Sequence, residues 1–250
     1  MIKNLRILVA MCVMISIIGG SNVVFAAEQY EVSPGSEGIA VESEVDDYVY
    51  QMIEDYRNGT FVERNDLPEL DIRKLFNDTQ SSTLNESDEY KVEYLYDNRM
   101  LEDGTYAATK VTMFEDLEDY SGSTRNGVTI QCTVFYSRLD MDDWFDYVML
   151  LRTRGTVVEE TGDYECTSMV ISYKVYGDAY DKYGNRHGFQ GDDGSSTINN
   201  PIVGADYVYS GPADYYYNMG AGTSFVGASV EAEIQNASGD TKTFETEFNF

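Results

Sequence analysis

From Tyr90 to Phe250 the chain alternates apolar and polar residues with a period of two, and this rhythm narrows the fold more than any other feature. Successive side chains of an extended strand point to opposite faces, so each alternating stretch offers one apolar face to a core. Residues 91–96 alternate, Asp103-Gly104 turns the chain, and residues 105–114 alternate again. Asn126-Gly127 is a turn signal, and it opens a strand with Val128, Ile130, Cys132, Val134 and Tyr136 on one face. The intervening Thr129, Gln131, Thr133 and Ser137 are polar, which predicts a face in contact with solvent. Residues 144–153 read as a strand, Gly155 as a turn into residues 156–159, and residues 164–176 as a long alternating run. The last hairpin sets Val226, Ala228, Val230, Ala232 and Ile234 on one side. It turns at Ser238-Gly239-Asp240 and returns through Phe244, Phe248 and Phe250. β-Branched and aromatic residues fill these stretches. With Gly- and Asp-rich turns and no helical period between them, they predict an antiparallel β-sandwich, immunoglobulin-like or jelly-roll-like.

A helical segment precedes this region. Ser43 can cap a helix, Asp46 stands at the capping-box spacing, and Asn58-Gly59 stops it. Between them Val45, Tyr48, Val49, Met52, Ile53 and Tyr56 fall on one face, with Glu44, Asp47, Gln51, Glu54 and Asp55 opposite. Such a stripe must be buried, and the body of the same chain is the expected partner. Asp66 with Glu69 can cap a shorter helix carrying Leu70, Leu75 and Phe76, and residues 79–89 read as a linker.

The first 26 residues have the three parts of a secretory signal. Lys3 and Arg6 give a positive start, residues 5–18 are apolar, and Val24-Phe25-Ala26 supplies small residues at the positions a signal peptidase reads. Cleavage is expected after Ala26. The apolar run is shorter than the ~20 residues of a spanning helix, and no second run of that length follows. Cys12 does not make a lipid anchor, because Met11 stands where a lipoprotein signal requires Gly, Ala or Ser. The organisation predicted is a signal peptide (1–26), a flexible acidic leader (27–42), a helical segment and linker (43–89) and a β-sandwich domain (90–250).

An exported chain with a formal net charge of −27 is repelled by nucleic acid phosphates and anionic membranes. Neither is an expected partner, and no membrane insertion is expected once the signal is gone. The charge keeps an extracellular protein soluble and leaves calcium as the one cofactor to consider. Cys132 and Cys166 remain after cleavage, and export favours a disulfide between them. It would stabilise the fold by about 4 kcal/mol in the chain-entropy account.

The chain's one histidine, His187, lies in the Gly-rich stretch 184–194, which reads as a hairpin loop. No Gly-x-Ser-x-Gly accompanies it, and one His with two distant Cys lacks zinc-ligand spacing. Paired carboxylates are the other hydrolytic route. Asp140, Asp142, Asp143 and Asp146 crowd around Trp144, and the first three are calcium candidates, although no EF-hand spacing is present. The 21 tyrosines include Tyr207, Tyr209, Tyr215, Tyr216 and Tyr217 close together beside Pro212. Tyrosine offers a recognition surface large area and a hydrogen-bonding tip. It also simply suits half-buried strands. These residues point to binding rather than catalysis: an extracellular module for a protein or glycan ligand. A secreted, glycan-directed hydrolase using carboxylates or His187 is the alternative, with a calcium-stabilised structural domain beside it.

The Lys3-Asn4-Leu5-Arg6 start, the Val24-Phe25-Ala26-Ala27 ending, the acidic leader and the Tyr/Thr/Ser-rich strands resemble the small secreted proteins of low-GC Gram-positive bacteria such as clostridia. The resemblance implies export across a single membrane and brings no catalytic residues with it.

Overall fold

The computed structural model describes residues 47–66, 90–116, 126–141 and 145–250. The export signal, the leader and the expected second helix fall outside the described residues. Helix α1 (Asp47–Arg57) carries the predicted stripe, with Val49, Met52 and Ile53 buried. Eleven strands follow, and together they make one hydrogen-bonded sheet. These are β1 (Arg64–Asn65), β2 (Tyr90–Met100), β3 (Tyr106–Asp116), β4 (Asn126–Leu139), β5 (Tyr147–Thr161) and β6 (Tyr164–Tyr180). After them come β7 (Arg186–Asn199), β8 (Asp206–Ser210), β9 (Tyr216–Asn218), β10 (Phe225–Asn236) and β11 (Thr241–Asn249). Among the described strands only β1 pairs in parallel, alongside β2.

The sheet folds over on itself into two layers. β2, β3, β4 and β5 run as an antiparallel meander, with β8 added beside β5. The turn at Gly162-Asp163 then carries the chain into the second layer, ordered β7–β6–β10–β11. Short β9 hydrogen-bonds to β5 and to β6, and so closes one corner. Ile130, Cys132 and Val134 of the first layer share one core with Ile171, Val230 and Phe244 of the second. The predicted sandwich with an N-terminal helix is therefore the architecture observed.

Four local readings differ. Gly155 is no turn but the middle of β5. A Cβ there would sit 3.1 Å from Ile171 and Val230 of the opposite layer, so the glycine is a closeness requirement, which from sequence alone looks like a break. Asn126 and Gly127 pair with Asp116 and Glu115 as the first rungs of β4. Thr129, Gln131 and Thr133 are buried instead of meeting solvent. The face they share also receives α1, whose Val49, Met52 and Ile53 pack on Leu95, Val111, Met113 and Val158. Tyr48 Oη is 2.6 Å from Thr109 Oγ1, which in turn bonds Thr133 Oγ1 at 3.0 Å, and Gln131 Nε2 donates to Thr133 at 2.8 Å. A polar face buried under a helix survives because its hydroxyls bond each other.

The fourth difference is the disulfide. Cys132 and Cys166 are free, buried thiols. Cys132 pairs directly with Gly155 across the β4–β5 ladder, and Gly155 faces Ile171. Cys166 is five residues from Ile171 along β6, roughly 16 Å at the rise of a strand. Sulfurs that far apart cannot join. Replacing Gly155 with Val should wedge the layers apart and lower the unfolding free energy by about 1–3 kcal/mol, read as a reduced urea midpoint.

Candidate functional site

Three connecting segments meet at one end of the sandwich: the β4–β5 connection, the β6–β7 turn, and the stretch around β9. Met219 N donates to Asp146 O at 2.8 Å, and Arg138 forms an ion pair with the Asp146 carboxylate. Asn218 Nδ2 donates to Tyr147 Oη at 3.3 Å, and Tyr216 Oη lies 3.1 Å from Ser137 Oγ. Below them the Tyr147 and Tyr180 rings meet edge to face at 5.0 Å, tying β5 to β6. Loops braced this way can hold side chains in fixed positions, which is where sandwich folds commonly place function.

The β6–β7 turn is the most constrained of the three. The Asp181 carboxylate accepts bonds from Asn185 Nδ2 (2.9 Å), Tyr183 N (2.8 Å) and Asn185 N (3.0 Å). The Asn185 side chain leads the donors that hold the Asp181 carboxyl well below the usual carboxylate range. His187 Nε2 stands 3.4 Å from the same carboxylate, and its ring is 5.1 Å from that of Tyr215. Arg186 pairs with Asp178 at 2.7 Å. Tyr183, at the tip of this stiff turn, is 78% exposed.

Two other large aromatic residues are exposed here. Phe145, in the β4–β5 connection, is 47% exposed, and Phe189, two residues past His187, is 64% exposed. A Cβ on Gly220 would overlap the Phe145 ring, and one on Gly184 would lie 3.0 Å from Met141 Sδ, so the three segments are in direct contact.

The residues singled out from the sequence separate sharply. Tyr207, Tyr209 and Tyr217 are buried in the main core, Tyr216 is buried beside Ser137, and Tyr215 is half-buried against His187. Burial pushes the Tyr217 hydroxyl up to about 12, with Asp192 and Asp214 adding to it. Tyr207 Oη accepts from Ile202 N at 2.9 Å, so even its polar tip serves the fold. Four of the five tyrosines are thus wall, and the exposed aromatics described on the β4–β5 connection, the β6–β7 turn and β7 are Phe145, Tyr183 and Phe189. The sequence signal for Tyr183 was its turn, Asp181-Lys182-Tyr183-Gly184-Asn185, in which Asp and Asn can bond the backbone. His187 lies on β7, not in a loop, and the whole stretch 186–199 is an edge strand. Its glycines and aspartates are a device for a strand edge that should not template another chain.

Burial pushes the Cys166 thiol up to about 12 and the Cys132 thiol higher still, so neither is a nucleophile at neutral pH. Asp140 is exposed, while Asp142, Asp143 and Trp144 lie outside the described residues. Among the described residues no three His, Cys, Asp or Glu side chains are grouped to hold a metal. No described helix is long and apolar enough to cross a membrane. No protein-family model matches the chain, and the comparison with curated proteins finds no match.

The wall and tip roles predict opposite mutational costs. Tyr217→Ala should lower the unfolding free energy by about 3–5 kcal/mol. Tyr183→Ala should change it by no more than about 0.5 kcal/mol. Chemical denaturation of both variants reads the contrast directly.

Proposed function

We propose that the chain is exported and acts outside the cell as a binding module that contacts its ligand with the aromatic end of the sandwich. The observation that carries this reading is that Phe145 and Tyr183 are exposed aromatic side chains on segments in contact with each other, with Phe189 exposed on the strand that follows the Tyr183 turn. Aromatic anchors held rigid before contact lose little entropy on binding, and such anchors dominate binding energy. The export half of the proposal rests on the charged start, apolar run and small-residue cleavage pattern of residues 1–26.

Under this reading, the triple variant Phe145→Ala, Tyr183→Ala, Phe189→Ala captures ligand at least tenfold more weakly in a glycan and protein array, with an unchanged melting temperature. Equal capture by variant and parent contradicts it. His187→Ala leaves capture and any background hydrolysis unchanged, whereas a hydrolase would lose turnover. Expression of the full chain in a secreting host yields a medium product that begins at Ala27. Retention in the cell with residues 1–26 intact contradicts the export half.

A further inference from the structure

The outer face of the second layer carries a feature that adjoins the loop end through Phe189. Along β6 and β10, Ile171, Val175, Val226 and Val230 enter the core, so Tyr176 and Phe225 belong to the opposite face. The register pairs Tyr176 with Phe225 on one side and with Gly191 on the other, two residues from Phe189. The Tyr176 and Phe225 ring centroids are 5.5 Å apart and nearly parallel, at 13°. Phe189 continues the row at 6.4 Å from Tyr176. Three rings thus cross β10, β6 and β7 in line.

Gly227 shows how these rings lie. A Cβ at Gly227 would be 2.6 Å from two atoms of the Phe225 ring, so the ring is laid down across the bare glycine. Tyr176 and Phe225 are half-buried in this stack and Phe189 is exposed, and the ring face is the electron-rich side that accepts polarised C–H groups. Beside the row stand Lys174 and Asp193, partners across the β6–β7 ladder. Lys174 Nζ is 5.7 Å from the Tyr176 centroid. One donor and one acceptor therefore flank the rings, and their charges cancel locally.

We infer that this strip, Phe225–Tyr176–Phe189, binds a neutral polysaccharide chain. The inference rests on the binding-module reading and names its ligand class. Charge selects the ligand. A chain of net charge −27 repels polyanions. A basic peptide is repelled by Lys174, whose ammonium lies 5.7 Å from the Tyr176 ring centroid. A hydroxyl-rich neutral polymer meets neither obstacle: its C–H faces lie on the rings, and its hydroxyls bond Lys174 and Asp193. Rings on three adjacent strands favour a polymer over a single sugar, because each ring engages a successive unit.

The test is affinity electrophoresis and pull-down of the mature chain on a β-1,4-glucan, a β-1,3-glucan, chitin and starch, with polygalacturonate and polylysine alongside. Retention on at least one neutral polymer is expected, weakened tenfold or more in Phe225→Ala and in Phe189→Ala. Monosaccharides should compete at least a hundredfold less well. The high exposure of Phe189 keeps the second variant folded if the first is destabilised, and melting temperatures check both. Retention only on polylysine, retention on no neutral polymer, or retention unchanged in both variants overturns the inference. A protein ligand captured through Tyr183, with no polymer retained, overturns the ligand class and leaves the binding-module reading standing. Absence of any capture overturns both.

Discussion

The two β layers come closest where Gly155 of β5 faces Ile171 of β6 and Val230 of β10, and the rest of the molecule is arranged around that contact. Toward one side the Phe114 ring stacks on Phe244 at 5.9 Å, and toward another Tyr96 meets Phe248 at 6.1 Å, so aromatic rings bridge the layers where no glycine brings them together. An interior this full leaves each buried hydroxyl needing a partner. The Tyr136 hydroxyl, for instance, receives the Asn98 amide at 3.0 Å within the core. Tyrosine therefore does here what phenylalanine and tryptophan do in other sandwiches, filling volume while its tip is bonded.

The two outer faces have different fates, and that difference sets where the molecule can act. The first layer's outer face is covered by α1, which brings its own apolar stripe and the Tyr48 hydroxyl down onto a bonded row of threonines. The second layer's outer face shows Phe225, Tyr176 and Phe189 together with several acids, among them Glu231 directly opposite Glu245. Desolvation, and then the neighbouring Glu245 and Glu233, raise the Glu231 carboxyl above its ordinary range. Among the described residues, one side of the sandwich holds the N-terminal helix, and the other carries the aromatic row. The aromatic loop end and the strip share Phe189, so a long ligand can touch both.

What was legible in the sequence follows from how strongly one force dominates each element. β6, β10 and β11 each bury mainly one face, and their alternation announces it. The α1 stripe and its Asn58-Gly59 stop were equally plain, since Gly59 takes a positive φ that few other residues accept. Where two demands overlapped, the pattern misled. β3 is buried on nearly its whole length because both its faces are covered, so it shows no clean alternation in burial. β7 is edge and solvent at once, so glycine and aspartate replaced the usual strand residues and imitated a loop. Gly155 and the core tyrosines depend on the opposite layer, which local sequence does not contain. For the candidate site, the chain order hid the key fact: the β4–β5 connection that carries Phe145 meets the Tyr183 turn only after the sandwich closes.

Side-chain footprinting of the native chain by hydroxyl radicals, read residue by residue in a mass spectrometer, tests this arrangement most directly. The account predicts rapid oxidation of Tyr183, Phe189 and Phe145, with Tyr207, Tyr209 and Tyr217 protected until the chain is unfolded. Oxidation of Tyr207, Tyr209 and Tyr217 as fast as that of Tyr183 in the folded chain would contradict it.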